Sequence, residues 1–153
     1  MGFRSLKACV DTLRAERHAV VVDHPVDPHL EIAEIQRRLF RAGGPAVLFT
    51  RPLGTAFPVL VNLYGTKPRI ERIFADTLDR VRRLVELKID PTAALRNPLR
   101  YWRAPLDAVT TLPRRVGRGP VLAHEIPLSR LPRVTGWPGD GGPFVTLPCV
   151  YTE

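Results

Sequence analysis

The chain has 153 residues, 23 Lys and Arg against 15 Asp and Glu, two Cys and sixteen Pro. That length holds one domain, or one domain and part of a second, and 44% apolar residues are enough for a core, which excludes wholesale disorder. No apolar run nears the roughly 18 residues of a membrane span, Cys9 and Cys149 lie too far apart to staple a small secreted fold, and the first residues lack a signal-peptide apolar region, so a soluble cytoplasmic protein is expected.

The net charge of +8 is uneven. Residues 67–119 carry thirteen basic against six acidic residues, while 1–66 sum to +2 and 120–153 to −1. Twenty of the basic residues are Arg, a bias that GC-rich coding produces without any phosphate-binding surface. A basic third can bind nucleic acid, face an acidic protein surface or be solvated.

Ser5 reads as the N-cap of a helix with Leu6, Cys9, Val10 and Leu13 on its apolar face. His18–Asp23 reads as a β-branched strand. Asp27 and Pro28 form a helix start, with a capping carboxylate and Pro at the first helical position. Ile32, Ile35, Leu39 and Ala42 line that helix, and Gly43-Gly44-Pro45 ends it. Ala46–Thr50 is a second strand, Arg51–Gly54 a turn and Phe57–Leu63 a third strand, with Pro58 marking its start or a sheet edge. Thr66 caps a helix whose apolar face runs Ile70, Ile73, Phe74, Thr77, Val81, Leu84, Val85 and Lys88, with a break expected at Asp76–Asp79. Residues 1–90 thus form a small mixed α/β domain.

Ten of the sixteen prolines fall after residue 90. Pro91, Pro98, Pro105 and Pro113 make 91–119 an Arg/Pro-rich connector, with Leu99, Tyr101, Trp102 and Leu106 expected to pack. Val121–Ile126 reads as a strand, Leu128–Val134 as an ordered linker, Trp137–Pro143 as a turn cluster and Phe144–Tyr151 as a strand. A buried-looking strand so near the last residue suggests a partner strand still to come.

No catalytic constellation emerges from residue types alone. His24 and His29 are separated by Pro25 and Pro28 and share no helix face; His18 and His124 are isolated, and no zinc spacing is present. Cys9 and Cys149 read as small buried apolar residues. Gly43-Gly44 follows a helix, whereas a dinucleotide loop follows a strand. Gly139-Asp140-Gly141-Gly142 lacks the Lys-Ser/Thr of a phosphate loop and reads as a turn. The arginines at 80, 82, 83, 96, 100, 103, 114, 115 and 118, with Tyr101 and Trp102, imitate a nucleic-acid surface but belong to no reader module.

Three segments, taken in order, carry a resemblance. They are Phe3–Leu6 followed by Pro25-Val-Asp-Pro28; Glu31–Ile35 running into Arg41–Phe49 and Phe57–Gly65; and Leu131-Pro132 followed by Trp137-Pro-Gly-Asp-Gly-Gly-Pro-Phe-Val-Thr146. Together they resemble the N-terminal part of UbiD-type decarboxylases. The resemblance implies a carboxy-lyase that reversibly decarboxylates aromatic and α,β-unsaturated acids, as in ubiquinone synthesis and aromatic acid metabolism. It also implies prenylated FMN with Mn²⁺ and K⁺ as cofactors, with the flavin carrying the chemistry. In that family residues 120–153 open a central split β-barrel of the flavin-reductase type. The catalytic Glu–Arg–Glu set and the Asn/His/Glu metal set fall in stretches that would follow Glu153. No catalytic, metal or direct cofactor residue is therefore expected in residues 1–153. Thr146 is expected close to the flavin pocket, and Asp140, Gly141 and Gly142 to shape the turn beside it. A strand or two cannot close a barrel, so the chain alone is expected to be inactive and to bind no cofactor. Implied partners are the remainder of the decarboxylase or a complementing subunit, a flavin prenyltransferase as cofactor source, and further copies of the complete enzyme, with no nucleic acid and no membrane. Two other readings stand beside this one: a non-catalytic interaction subunit docking on a full-length relative, and a basic nucleic-acid-binding module.

Overall fold

The computed structural model describes residue 3, residues 5–110, residues 112, 117 and 119, and residues 123–143. They form a mixed α/β structure in two compact units, one drawn from Ser5–Ile70 and Ile126–Glu153, the other from Glu71–Glu125.

In the first unit, Ser5 caps helix α1 (Leu6–Ala15), its hydroxyl accepting the Ala8 N–H at 3.1 Å. Cys9, Val10 and Leu13 are buried as the spacing predicts, but Leu6 is 60% exposed. Leu6 instead lines the open apolar cleft between α1 and the sheet. Strands β1 (Ala19–Val22), β2 (Ala46–Phe49) and β3 (Val59–Val61) make one sheet in that order, β1 parallel and β3 antiparallel to β2. β3 is an edge, which explains why Pro58 is tolerated at its start. Helix α2 (Glu31–Arg41) links the parallel pair. Its Ile32, Ile35 and Leu39 pack with Val26 on the sheet face that carries Val22, Val47, Phe49, Val59 and Val61. Burial of each such side chain contributes about 2 kcal/mol.

The start of α2 departs from the sequence reading. Asp27 and Pro28 do not cap it; the N-cap is Leu30, at φ 67° and without a side-chain cap bond. The competing pull is tertiary. Thr135 forms a β-bridge with His29, donating to the Pro28 carbonyl and accepting the Leu30 N–H, and this holds the chain extended there. The Asp27 carboxylate then serves locally, accepting the His29 N–H at 2.8 Å, while Glu31 reaches back to the Asp27 N–H at 2.7 Å. The end of α2 matches the reading. Gly43 takes φ 61°, and the N–H groups of Gly43 and Gly44 return to the carbonyls of Phe40 and Leu39, the paired bonds of a Schellman ending.

Helix α3 (Lys67–Ile73) spans the division between the units and α4 (Ala75–Ile89) follows it. The break falls at Phe74, earlier than the expected Asp76–Asp79, because the Phe74 carbonyl is taken by the Thr77 N–H and hydroxyl. The connector is more helical than its prolines suggest, with α5 (Ala93–Arg96), α6 (Pro98–Tyr101) and α7 (Ala104–Thr110). Each is short, and Pro98 sits at the first turn of α6, where a missing N–H costs nothing. Of the residues expected to pack there, Tyr101 is buried, whereas Leu99, Trp102 and Leu106 are exposed.

Beyond the connector, residues 123–126 carry no strand, contrary to expectation, and pair with no other strand among the described residues. A single 3-10 turn, Leu128–Arg130, follows. The expected strand at Phe144–Tyr151 lies outside the described residues, as do Val121 and Leu122.

Candidate functional site

The glycine-rich turn singled out in the sequence is built from one carboxylate. Asp140 Oδ2 accepts the N–H groups of Gly136 and Trp137 at 3.0 and 2.8 Å, and the Asp140 N–H donates to the Trp137 carbonyl at 3.2 Å. Gly139 and Gly142 hold φ of 88° and 138°, conformations that side chains resist. Asp140 thus ties the turn by hydrogen bonds and Gly142 gives it a positive φ, while Gly141 is exposed within it. Thr146 lies outside the described residues.

Helix α2 fixes where the turn sits. The Arg37 guanidinium stacks 4.4 Å from the Trp137 ring centre and donates to the Gly136 carbonyl at 2.8 Å, while Glu34 holds its other edge. The Thr135 bridge to His29 adds a second anchor, and Thr55 donates to the Arg130 carbonyl at 2.9 Å. Between this turn and the Asp27–His29 segment runs a groove of about 540 Å³ that also takes in Arg133. An Arg37→Ala variant is expected to release Trp137. In a Trp102→Phe background its emission should shift to the red and be quenched more readily by acrylamide, and unchanged emission would show that the stack does not hold the turn.

A second polar centre lies under the β3–α3 connection. Arg69 is 2% exposed, and no carboxylate among the described residues answers it. Its guanidinium donates instead to four main-chain carbonyls: Asn62 at 2.6 Å, Leu63 at 2.8 Å, Gly44 at 3.1 Å and His18 at 3.4 Å. Burial pulls its pKa down from the ordinary arginine value, yet the group stays protonated. Asn62, at φ 57°, donates to the carbonyls of Gly44 and Pro45, and its buried Oδ1 has no partner among the described residues. The Asn62-Leu63-Tyr64-Gly65 stretch supports the resemblance, but nothing in its pattern showed that Arg69, on a basic-looking helix, turns inward.

The opposite face of the sheet is less covered. Val10 of α1, Val21, Leu48 and Leu60 of the sheet, and Leu131 and Val134 of the returning segment line an apolar cleft of about 760 Å³.

The remaining candidates do not converge. Cys9 is buried, and burial pushes its thiol up, away from reactivity. Among the described residues no three of His, Cys, Asp or Glu are placed to hold a metal ion. Five arginines of the second unit face acids: Arg80 and Arg83 face Asp107, Arg82 faces Asp79, Arg96 faces Asp90 and Arg100 faces Glu86, while Arg103 lies 5.1 Å from the ring centre of exposed Trp102. That weakens the nucleic-acid reading for these residues; Arg114, Arg115 and Arg118 lie outside the description.

Glu86 also accepts the Tyr101 hydroxyl at 2.7 Å. Tyr101 and then Arg100 hold the Glu86 carboxyl below its ordinary range, and Glu86 pushes the Tyr101 phenol up. A lowered folded-state pKa gives stability that is present above the unfolded value and is lost as pH falls through the folded one. The helical signal of the second unit should therefore weaken as the pH falls through and below the ordinary glutamate range. Tyr101→Phe should flatten that dependence, and an unchanged acid limb would refute the role of this contact.

Residues 10–88 match the family model of the 3-octaprenyl-4-hydroxybenzoate carboxy-lyase N-terminal domain, and residues 114–153 match that of its Rift-related domain. The chain belongs to the UbiD carboxy-lyase family. It is 41% identical over 153 residues to an uncharacterized protein of Chlamydia trachomatis, covering 97% of this chain and 26% of that protein. It is 38% identical over 154 residues to a protein of Chlamydia pneumoniae named as a subunit of 4-hydroxybenzoate decarboxylase, with the same shares. Among solved structures it is similar to an evolved dimeric form of the UbiD-class enzyme HmfF from Pelotomaculum thermopropionicum in complex with prFMN. That match has a TM-score of 0.47 and 24% identity, and it covers 57% of this chain and 20% of that one. The chain thus spans about a quarter of the length of the curated relatives it matches.

The UbiD family implies a flavin with its metal, and the described residues hold no ligand set for that metal. The Asp140 carboxylate is engaged by two backbone N–H groups, and no set of ligands among the described residues surrounds it. The described residues supply scaffold: a sheet, a helix and a pinned turn.

Proposed function

We propose that residues 1–153 form the N-terminal quarter of a prenylated-FMN-dependent carboxy-lyase acting reversibly on aromatic or α,β-unsaturated acids, and that by themselves they are inactive. One observation carries this reading: the family models of both the N-terminal and the Rift-related domain match in order, over about a quarter of the length of the relatives. On this reading Arg37, Trp137 and Asp140 set the path of the chain into the barrel, toward Thr146, and Asp140, Gly141 and Gly142 border the flavin pocket. Prenylated FMN with Mn²⁺ and K⁺ would supply the decarboxylation chemistry in the complete enzyme. The complement is the remainder of the decarboxylase or a second polypeptide, and the naming of the Chlamydia pneumoniae relative as one subunit of its enzyme accords with either.

The test uses the purified 153-residue chain with prenylated FMN, Mn²⁺, K⁺ and 4-hydroxybenzoate. No CO₂ and no retained flavin are expected, and CO₂ release above the cofactor-only control overturns the inactive-alone reading. A chimera that carries this chain in place of the matching residues of the Chlamydia trachomatis relative is expected to retain the flavin; a folded chimera without it counts against the family assignment of function.

A further inference from the structure

Helix α4 leaves an apolar stripe outside. Successive helical residues turn by about 100°, so Arg83, Leu84 and Leu87 share the half-buried side that faces the rest of its own unit, with Arg80 and Glu86 beside them. Arg80 and Arg83 pair with Asp107 of α7, and Glu86 binds Arg100 and Tyr101 of α6. Val81, Val85 and Ile89 share the opposite side and are 51%, 49% and 79% exposed. A finished fold keeps such a stripe out of water. The unit's own core is thin: among the described residues it buries Tyr101 and Ala104 and half-buries Leu78, Leu84 and Leu87.

Charge narrows what covers this face. Arg82 and Lys88 border the stripe on its two sides. Among the described residues Arg82 has one exposed acid, Asp79, at 3.8 Å, and Lys88 has no ion pair. Two copies packed stripe to stripe, antiparallel, would bring the Arg82 flanks together and the Lys88 flanks together, like charge toward like, and the whole chain carries +8. A second copy is therefore opposed electrostatically, whereas an apolar helix bordered by Asp or Glu is attracted. The relatives extend over about four times the matched length, which provides such a partner.

We infer that the Val81–Val85–Ile89 face of α4 is the docking surface for an apolar, acid-bordered helix in the remainder of the carboxy-lyase. This rests on the function proposed above and deepens it by naming where the N-terminal quarter meets the rest.

The test compares two contexts, the 153-residue chain and the same chain in the Chlamydia trachomatis chimera. Val85→Cys and Ile89→Cys are placed singly, and their reaction with N-ethylmaleimide is followed peptide by peptide in the mass spectrometer, relative to the chain in guanidinium. Labelling in the chimera should be at least about tenfold slower than in the free chain. Adding Arg82→Glu and Lys88→Glu should remove most of that protection in the chimera and leave the free-chain rate unchanged. Equal rates in the two contexts, with a monodisperse chimera that retains flavin, overturn the docking face and leave the family function standing. A soluble chimera without flavin counts against the function instead. Protection that survives the charge reversal overturns the acid-bordered partner. Protection that appears in the free chain as its concentration rises assigns the face to a second copy and overturns the inference.

Discussion

Arg69→Met is expected to destabilise the first unit by about 2 kcal/mol, read as a lower urea midpoint with an unchanged slope. Methionine fills much of the space, so the loss is one of hydrogen bonds. The Leu63 carbonyl loses its donor, and those of His18, Gly44 and Asn62 each lose one of two, keeping the Ala46 N–H, the Asn62 amide and the Gly65 N–H. Each buried polar group left unpaired costs about 1 kcal/mol or more. A buried cation without a counter-ion is costly in itself. It is tolerated here because four carbonyl dipoles converge on it, and because the Gly44 carbonyl lies just past the end of α2, where the helix dipole is negative. Arg69→Lys should recover only part of the loss. An ammonium is a point charge on a thinner stem and cannot serve four carbonyls spread around a planar fork. A loss under about 1 kcal/mol for Arg69→Met, the size of an ordinary surface change, would show that the guanidinium does not tie α3 to the ends of α2 and the sheet.

Gly65→Ala is expected to cost about 3 kcal/mol, measured the same way. The reason is steric and specific. A Cβ at residue 65 would sit 1.8 Å from Asn62 Oδ1 and 2.5 Å from Asn62 Cγ. Asn62 cannot give way cheaply, because its amide is spent on the Gly44 and Pro45 carbonyls and its main-chain carbonyl takes the shortest of the Arg69 bonds. The two sites are therefore coupled. Asn62→Gly keeps the positive φ accessible and removes the obstructing side chain. The double variant Asn62→Gly/Gly65→Ala should be more stable than the sum of the single losses by about 1 kcal/mol or more. Strict additivity would mean that the clash with Asn62 is not what makes glycine necessary. Gly54, by contrast, has open space around its missing Cβ, so its need is for φ 76° alone.

The features legible from the residues alone are the local ones. Ser5 caps α1 because its hydroxyl reaches an N–H three residues on, and Gly43 ends α2 because only a residue without Cβ takes φ 61° easily. The β-branched runs at Ala19–Val22 and Ala46–Phe49 make strands, and Pro58 marks an edge. Family membership was legible as well, because it is carried by short segments in a fixed order. Packing settled whatever depends on residues far apart in the chain. Thr135 moved the start of α2 from Asp27 to Leu30 by a bridge across more than a hundred residues. Arg37 became the anchor of the Trp137 turn through a bond to Gly136, 99 residues away, which its helical position does not show. Arg69 reads as one more basic residue in the most basic stretch, and only the convergence of four carbonyls draws it inside. The polarity of α4 was written in the sequence, but its direction was not. Periodicity gives a helix its faces, and only the packed structure shows that the side with Arg83, Leu84 and Leu87 turns inward, paired to Asp107, and leaves Val81, Val85 and Ile89 outside.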